Sequence, residues 1–345
     1  MFYRVARPLF FALEAEAAHE AAFGLLETVR SAGCLRWIAG AVPPLPVRAM
    51  GIDFPNPVGL AAGLDKNGDH IDALLGLGFG FIEVGAVTPR PQPGNAKPRI
   101  FRLERARALI NRMGFNNLGV DHLVANFERR RHKGAAAGVV GVNIGKNFDT
   151  PLERANDDYV ECLRKLYPHA GFITANISSP NTADLRSLQH SGALDSLLAT
   201  LSQERARLER EHQRRVPLAV KIAPDLDNES IDALAERVLA HGMDAVIATN
   251  TTTSRTGVEH ERLSREAGGL SGPPLRARST AVVARLARAL AGRVPIIGVG
   301  GIASAADARE KLNAGATLVQ IYTALIYEGP RIVPDIVRGL ARERR

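Results

Sequence analysis

Two lysines stand at positions where a side chain could do chemistry. Lys66 and Lys221 each lie at or near the end of a short apolar run. A buried lysine is costly unless it faces an anion. Lys221 could therefore be a Schiff-base nucleophile, a phosphate partner or the cation beside a reduced flavin, and the surrounding residues do not choose among these roles.

A glycine-rich segment, Gly298-Val299-Gly300-Gly301-Ile302-Ala303, follows another apolar run and precedes a helix that Ser304 could cap. It matches the dinucleotide-binding glycine pattern literally. The acidic residue expected about twenty positions later is absent, and Gln320 stands there instead. We therefore expect glycine amides that hold the phosphate of a mononucleotide such as FMN, or of a sugar phosphate.

Asparagines are dense at the positions where a ligand could bind. An amide offers donors and an acceptor, which suits a flat heterocycle with imide and carboxylate edges. Asparagine is also common in turns, and we favour turn chemistry for Asn116 and Asn117. The residues concerned are Asn111, Asn116, Asn117, Asn143, Asn176, Asn181 and Asn250.

Other common kinds of catalytic site are not indicated. The nine histidines and the acidic residues show no metal-ligand spacing, so no metal site is predicted. Ser179 lies outside any Gly-x-Ser-x-Gly motif and is not predicted to be a hydrolase nucleophile.

These residues need elements to position them, and from about residue 50 short β-type runs alternate with helical stretches. Eight such runs, in a region close to the ~250 residues of a typical (β/α)8 barrel, predict that fold. A doubly wound open sheet is the alternative, because periodicity alone does not distinguish the two. The predicted strands are Val58–Ala61, Phe81–Val84, Val139–Ile144, Phe172–Ile177, Leu218–Ile222, Ala245–Thr249, Ile296–Val299 and Leu318–Ile321.

The composition is that of a globular protein with a full core, since 46% of the residues are apolar and 23% are charged. Cys34 and Cys162 form no spaced pair, so a reducing compartment fits best. The formal charge is +8. Its basic runs, such as the stretch from Glu204 to Arg215, are interpreted as solvated helix faces. With 5% aromatic residues, no nucleic-acid partner is expected.

Residues 1–46 are predicted to form a helical pair ahead of a barrel domain that spans residues 47–345. No segment approaches the ~20 uncharged residues of a membrane-spanning helix. Apolar residues at helical spacing run from Phe11 to Val29, and a second apolar segment runs from Leu35 to Val42. Such a pair, surrounded by arginines, could lie on an anionic bilayer. Packing against the barrel explains the same pattern equally well.

Nine segments, taken in order, resemble class 2 (quinone-dependent) dihydroorotate dehydrogenases. The resemblance covers essentially the whole chain, including the N-terminal helical pair, and the ordered set is far more specific than any one motif. The segments are Asn56–Lys66, Thr88–Asn95, Asn111–Asn117, Asn143–Asn147, Asn176–Thr182, Val220–Asp225, Ala248–Thr252, Gly268–Gly272 and Ile297–Gly301.

The resemblance implies a (β/α)8 TIM barrel that oxidises (S)-dihydroorotate to orotate in de novo pyrimidine biosynthesis. One FMN per chain would take the hydride, and a membrane quinone would reoxidise the flavin. The N-terminal extension would be the membrane foot and the quinone entrance. We therefore expect a monomer bound peripherally to the anionic cytoplasmic face of the cell inner membrane.

The resemblance also assigns roles to residues. Ser179 would be the general base that removes the C5 proton; class 1 relatives carry a cysteine there, so the serine indicates the quinone class. The substrate would be bound by Lys66, Asn111, Arg112, Met113, Gly114, Phe115, Asn176, Asn181, Asn250 and Thr251. FMN would be bound by Ala62, Gly63, Leu64, Asp65, Lys66, Ala86, Asn143, Asn176, Lys221, Thr249, Gly272, Gly301, Tyr322 and Thr323.

The residue types suit this chemistry, with two qualifications. Lys221 would stabilise negative charge on the flavin. An unassisted serine binds its proton too tightly to act as a base near neutral pH, so Ser179 would need a relay, for which we hypothesise Thr182 and a water. Ala86 departs from the family, whose threonine hydroxyl it lacks. The expected loss of flavin affinity is at most ~1 kcal/mol.

Two other functions are considered. A tRNA dihydrouridine synthase would use the basic surface for RNA, but it predicts a helical RNA-binding domain after the barrel. The given sequence continues for only about twenty residues beyond the eighth predicted strand of the barrel, which is too few for such a domain. A non-catalytic protein with the same barrel fold, which binds a membrane surface or a phosphate, would not explain the polar residues at the strand ends.

Overall fold

The structure is a computed structural model that describes residues 2–132, 138–182, 185–189 and 191–342. Its strands are β1 (Val47–Ala49), β2 (Ile52–Phe54), β3 (Val58–Leu60), β4 (Phe81–Val87), β5 (Ile100–Leu103), β6 (Ala108–Asn111), β7 (Val139–Ile144), β8 (Phe172–Asn176), β9 (Leu218–Ile222), β10 (Ala245–Ala248), β11 (Gly269–Ser271), β12 (Ile296–Val299) and β13 (Leu318–Ile321). Its helices are α1 (Phe2–Ala12), α2 (Ala15–Ser31), α3 (Leu35–Ala39), α4 (Ile71–Leu75), α5 (Val120–His132), α6 (Ala155–Leu166), α7 (Ser191–His212), α8 (Asn228–Ala240), α9 (Arg276–Leu290), α10 (Ala305–Asn313), α11 (Thr323–Glu328) and α12 (Ile332–Arg342).

Eight parallel strands close into a barrel in the order β10-β12-β13-β3-β4-β7-β8-β9. Closure depends on β13, which pairs with β3 so that Val319 lies opposite Val58. The predicted (β/α)8 barrel is confirmed, and the doubly wound alternative is wrong because the first and last strands are hydrogen-bonded neighbours. The four strands β7, β9, β12 and β13 have the predicted bounds, and the other four differ only at their carboxyl ends.

Aromatic rings fill the amino-terminal half of the barrel. Phe54, Phe81 and Phe172 form a series of edge-to-face contacts, with ring centroids 5.2 and 6.1 Å apart. Gly59 makes room for them, since a Cβ there would lie 2.3 Å from the Phe81 ring. Phe54 belongs to the β1–β2 hairpin, whose buried residues Ala49 and Phe54 pack in this layer. The hairpin therefore closes this end and leaves the carboxyl end for ligands.

A second sheet contributes to the pocket at the carboxyl end of the barrel, and it was not predicted. Strands β5, β6 and β11 form an antiparallel three-stranded sheet, with Gly269 opposite Asn111. It has its own small core, which includes Phe101, Ile110 and Leu270. The alternating run that begins at Ile100 could have predicted β5. No local pattern could have paired β11 with this sheet, because it lies more than a hundred residues later in the chain.

The predicted N-terminal helical pair consists of three helices. The prediction of one continuous helix with an apolar face from Phe11 to Val29 was wrong, because the helix is interrupted between Ala12 and Ala15. Glu14 caps α2 by accepting hydrogen bonds from the N–H groups of Glu16 and Ala17. Phe23 faces the barrel core, and Leu25 is exposed. None of the helices in the described ranges combines the length and apolar character that a membrane-spanning segment needs.

The basic stretch on α7 is an ion-paired helix face, as predicted. Glu204 accepts hydrogen bonds from Arg207 on its own helix and from Arg164 on α6, at 2.7 and 2.8 Å. Arg207 also pairs with Glu211. These contacts join two outer helices of the barrel.

Candidate active site

A single pocket at the carboxyl end of the barrel brings together most of the residues predicted to bind ligand. Its wall is formed by the ends of barrel strands and by the loops that follow them, with β6 and β11 from the second sheet. The predicted residues at this wall are Ala62, Gly63, Lys66, Ala86, Asn111, Met113, Gly114, Phe115, Asn176, Ser179, Asn181, Lys221, Thr249, Asn250, Thr251, Gly272, Gly301, Tyr322 and Thr323.

Four predicted residues, Leu64, Asp65, Arg112 and Asn143, do not border the pocket. Leu64 is buried in the main core. The Asp65 carboxylate turns away and accepts hydrogen bonds from the N–H groups of Asp69 and His70, just before α4. Arg112 pairs with Glu266 at 2.7 Å and lies over the Phe101 ring. These side chains shape the loops that carry their pocket-lining neighbours.

Asn143 is separated from the pocket wall by one side chain, and it leads to a residue that sequence analysis missed. Its Nδ2 donates to Glu83 Oε1 at 2.8 Å, and its Oδ1 accepts from Asn176 Nδ2 at 2.9 Å. Glu83 also accepts from Gln320 Nε2 at 2.8 Å and lies 3.9 Å from Lys221 Nζ. A glutamate inside the apolar strand Phe81–Val87 was a signal for this buried network.

The asparagines at the pocket bind one another. Asn181 Nδ2 donates to Asn111 Oδ1 at 3.2 Å, which joins the loop after β8 to β6. Asn250 Nδ2 donates to Ser178 Oγ at 3.0 Å and to Asn176 Oδ1 at 3.3 Å. These contacts fix the directions in which the amides present donors and acceptors to a ligand.

Asn117 is a turn residue, as predicted. Its side chain donates to the Phe115 carbonyl and accepts from the N–H of Gly119, at 2.7 and 2.8 Å. It also donates to Thr88 Oγ1, so it connects the loop after β4 to the segment that carries Phe115. Its contribution to the site is therefore to hold this loop.

Ser179 is 5% exposed at the pocket wall. Its Oγ accepts a hydrogen bond of 3.2 Å from the N–H of Asn181. This contact holds the oxygen in place and leaves the hydroxyl proton to be donated elsewhere. Thr182 is also buried, and within the described ranges its Oγ1 has no hydrogen-bond partner.

The two lysines occupy different environments. Lys66 Nζ donates to the Gly63 carbonyl at 3.0 Å. Burial among the pocket residues, followed by the charge of Arg99, lowers the pKa of Lys66 to about 8. Lys221 lies inside the barrel, where it is 5% exposed and shares Glu83 with two amides. Both lysines line the pocket, so each could meet an anionic ligand.

The glycine segment forms a donor-rich corner of the pocket. Gly300 and Gly301 have φ angles of +117° and +75°, which L side chains rarely adopt. A Cβ at Gly301 would lie 2.7 Å from the Arg276 nitrogen. Within the described part of the chain, the N–H groups of Gly300 and Gly301 donate no backbone hydrogen bond. Ser304 caps α10, as predicted. These amides suit a phosphate group.

Residues that were not predicted complete the wall, among them Arg107, Ser271, Tyr327 and Glu328. Arg107 and Glu328 form an ion pair across the pocket rim. The Tyr327 hydroxyl donates to the Ala108 carbonyl at 2.9 Å. These partners lie more than two hundred positions apart in the chain, so no local pattern could have connected them.

Helix α2 packs beside the pocket without lining it. Glu16 accepts from Arg99 Nη2 at 2.8 Å, and Phe23 stacks on His70 with ring centroids 4.2 Å apart. His19 lies near Lys66: burial, followed by the charges of Lys66 and His70, lowers the pKa of His19 to about 4. The N-terminal extension therefore packs beside the ligand site.

Comparisons with known proteins agree on one family. The family model described as dihydroorotate dehydrogenase matches residues 44–343. The chain is 58% identical to the dihydroorotate dehydrogenase (quinone) of Nitrosospira multiformis over 99% of this chain and 96% of that one. It is 56% identical to the protein of the same name from Azotobacter vinelandii, with 99% and 97% covered.

Solved structures give the same result. The dihydroorotate dehydrogenase of Eimeria tenella in complex with ferulenol superposes with a TM-score of 0.84 at 38% identity, covering 95% of this chain and 91% of that one. Its ligand-free form gives a TM-score of 0.86 at 39% identity, with 94% of each chain covered.

Proposed function

The chain belongs to the dihydroorotate dehydrogenase family, and on that premise we propose that it oxidises (S)-dihydroorotate to orotate with FMN as cofactor and a quinone as acceptor. Its relatives named for quinone match almost the whole chain, N-terminal helices included. The family match removes the tRNA dihydrouridine synthase and the non-enzyme alternatives. The observation that carries the proposal is one pocket that unites Ser179, two lysines, four asparagines and a glycine corner.

The pocket residues fit FMN. The glycine corner offers amides without backbone partners to a phosphate, and Gly63 has the φ of +112° that lets the chain approach a ligand closely. FMN, when bound, accepts a hydride and passes the electrons to the quinone. Lys221 would face the isoalloxazine as a cation, and Thr249, Asn176 and Lys66 would bind its polar edge. The remaining proposed contacts are Ala62, Gly63, Ala86, Gly272, Gly301, Tyr322 and Thr323.

Leu64, Asp65 and Asn143 support this FMN site from behind the wall. Asp65 shapes the loop of Gly63 and Lys66, and Asn143 orients Asn176. These residues are positioning groups, because they do not line the pocket themselves. Arg112 has the same role for the substrate, since its neighbours Asn111 and Met113 reach the wall.

The substrate site lies where Lys66 and the asparagines converge. Dihydroorotate is an anion whose ring carries two amide-type N–H groups and two carbonyls, so its carboxylate suits Lys66 and its ring amides suit Asn111, Asn176, Asn181 and Asn250. Thr251, Met113, Gly114 and Phe115 complete the wall around it. Several amides that are fixed by mutual hydrogen bonds would hold the ring in one orientation, which is the main requirement for a stereospecific transfer.

Ser179 is the proposed general base. It takes the proton from C5 of the substrate on its Oγ, while the N–H of Asn181 holds that oxygen in place. The hydroxyl must lose its own proton in the same step, and we keep Thr182 with a water as the hypothetical relay. The buried Thr182 hydroxyl supports this role, because it has no other hydrogen-bond partner among the described residues.

Residues 1–46 are proposed as the membrane-contacting and quinone-admitting unit, ahead of a barrel domain of residues 47–345. Trp37, Leu9 and Val5 are 88, 74 and 73% exposed. Large apolar side chains on short helices among arginines suit the surface of an anionic bilayer. We propose peripheral binding of a monomer to the cytoplasmic side of the cell inner membrane.

An anaerobic titration of the detergent-solubilised protein tests the function. Dihydroorotate should bleach the yellow flavin, and a quinone added afterwards should restore the colour. A flavin that ignores dihydroorotate would contradict the substrate. A flavin that is reduced by dihydroorotate but not reoxidised by any quinone would contradict the acceptor.

A further inference from the structure

We propose that Glu16, on the N-terminal extension, is a positioning residue of the substrate site: through Arg99 it holds the loop around Asn95, and it supplies a negative charge beside Lys66. The proposal rests on the proposed function, because it assigns Glu16 to the site where dihydroorotate and orotate bind.

The contact between Glu16 and Arg99 is a buried ion pair. Glu16 Oε1 accepts from both Nη2 and Nε of Arg99, at 2.8 and 3.0 Å. The Arg99 side chain is 7% exposed, and that of Glu16 is 11% exposed. Removing one member of such a pair leaves a buried charge without its partner, so the loss is larger than at a surface pair. Lys97 approaches the other Glu16 oxygen at 3.4 Å, but its side chain is mostly exposed.

Arg99 carries this contact into the loop that follows β4. Its Nη1 donates to the carbonyls of Pro93 and Asn95, at 2.6 and 2.9 Å. A guanidinium presents its donors in a fixed planar fork, so Glu16 on one side orients the donors on the other. A lysine could not make the same set of contacts from one rigid group.

Asn95 joins this loop to two segments of the substrate site. Its Nδ2 donates to the carbonyls of Arg112 and Asn181, at 2.9 and 3.3 Å. A Cβ on Gly114 would lie 2.8 Å from Asn95 Cγ, which shows how closely the side chain packs on that segment. A continuous set of contacts thus runs from α2 through Arg99 and Asn95 to Asn181, which lines the pocket.

Glu16 also acts on Lys66 through its charge. Burial and the charge of Arg99 lower the pKa of Lys66, whereas Glu16 and Asp65 raise it. His19 on α2 also lies near Lys66, and burial keeps its pKa near 4. Replacing Glu16 with a neutral residue therefore lowers the pKa of Lys66 further. Lys66 would then lose the positive charge that binds the orotate anion at a lower pH.

The experiment measures the orotate dissociation constant of the full-length FMN-loaded protein, from the change in the visible flavin spectrum, between about pH 6 and about pH 10. The wild type should bind orotate less tightly as the pH rises through about 8, where Lys66 loses its proton. Glu16→Gln should weaken binding at neutral pH by about tenfold, and it should move the pH midpoint downward.

Two further variants separate charge from geometry. Arg99→Lys keeps the positive charge but cannot bridge Glu16 and the two carbonyls, so it should weaken binding without lowering the midpoint. Glu27→Gln is the matched control, because Glu27 lies on the same helix and ties it to the barrel through His70 at 3.1 Å. It should keep both the affinity and the midpoint of the wild type.

Each outcome decides the proposal. Wild-type affinity and midpoint in Glu16→Gln would overturn it. An equal loss in Glu27→Gln would also overturn it, because helix docking in general would then explain the effect. If Glu16→Gln does not fold, unchanged binding in Arg99→Lys overturns the geometric part. A wild-type protein that does not bind orotate would instead refute the proposed function, and the inference with it.

Discussion

Glu83 and Lys221 lie 3.9 Å apart inside the barrel, where the glutamate side chain is fully enclosed and the lysine side chain is 6% exposed. Glu83 also accepts a hydrogen bond from Asn143, whose amide oxygen in turn accepts one from Asn176. One buried carboxylate therefore serves a cation at the proposed flavin site and the orientation of an amide at the proposed substrate site.

Glu83→Gln should lower the free energy of unfolding by about 3 kcal/mol, because it leaves Lys221 as a buried charge without its partner. The introduced amide can still bond Gln320, whose Oε1 has no partner among the described residues. The double variant Glu83→Gln/Lys221→Met should recover a large part of the loss. Urea unfolding of the flavin-free proteins measures both, and strictly additive losses would contradict the pairing.

Ser179→Ala should slow flavin reduction by dihydroorotate by about 10²- to 10⁴-fold, the usual contribution of a general base. Stopped-flow absorbance under anaerobic conditions measures the rate. Orotate affinity should change little, because the proposed binding contacts remain. Ser179→Cys should keep activity with a pH dependence moved downward, since a thiol ionises more easily than an alcohol. An unchanged reduction rate in Ser179→Ala would show that the base lies elsewhere.

Trp37→Ser should weaken binding to vesicles that contain anionic lipid and should lower the rate of reduction of a membrane quinone. Trp37 is 88% exposed on α3, so the change should not disturb the fold. Phe148→Ser is the matched control, because Phe148 is 65% exposed on the loop after β7. Vesicle co-sedimentation measures binding. Equal loss in both variants, or in neither, would argue against the N-terminal helices as the membrane contact.

Glu204→Gln should lower the melting temperature at neutral pH but not in strong acid. Hydrogen bonds from Arg164, followed by those from Arg207, lower the pKa of Glu204 from 4.5 to about 2. A carboxylate with a depressed folded-state pKa stabilises the fold above its unfolded value of 4.5, and this stabilisation is lost as the pH falls toward 2. The melting difference from wild type should therefore shrink over that range, whereas Glu153→Gln, at an exposed position, should show little difference at any pH.

Ala86→Thr should tighten FMN binding by at most ~1 kcal/mol, the net worth of one hydrogen bond. Ala86 lines the pocket and is 5% exposed, so a hydroxyl there could reach the flavin. Titration of flavin-free protein with FMN, followed by the quenching of flavin fluorescence, gives the dissociation constant. Weaker binding would indicate that the pocket has no room for the added atoms.

Local patterns were enough to predict the barrel and to place most of the predicted ligand residues at its pocket. Each barrel strand is a short apolar run followed by polar residues, and parallel strands necessarily bring their carboxyl ends to one side. The sequence alone therefore predicts that Lys66, Ser179, Lys221 and Asn250 lie at one site. The ordered motifs then supplied the chemistry, which periodicity alone did not.

Side-chain direction was decided only by the tertiary structure. Asp65 and Lys66 are neighbours in the chain, yet one turns to the backbone before α4 and the other enters the pocket. Glu83 contacts Lys221 and Gln320 because the closed barrel arranges β4, β9 and β13 around one interior. Glu16 meets Arg99 across eighty-three positions. Such contacts depend on barrel closure, strand twist and the docking of helices. No short segment of sequence encodes them, because they form only when segments that are distant in the chain pack together in the interior.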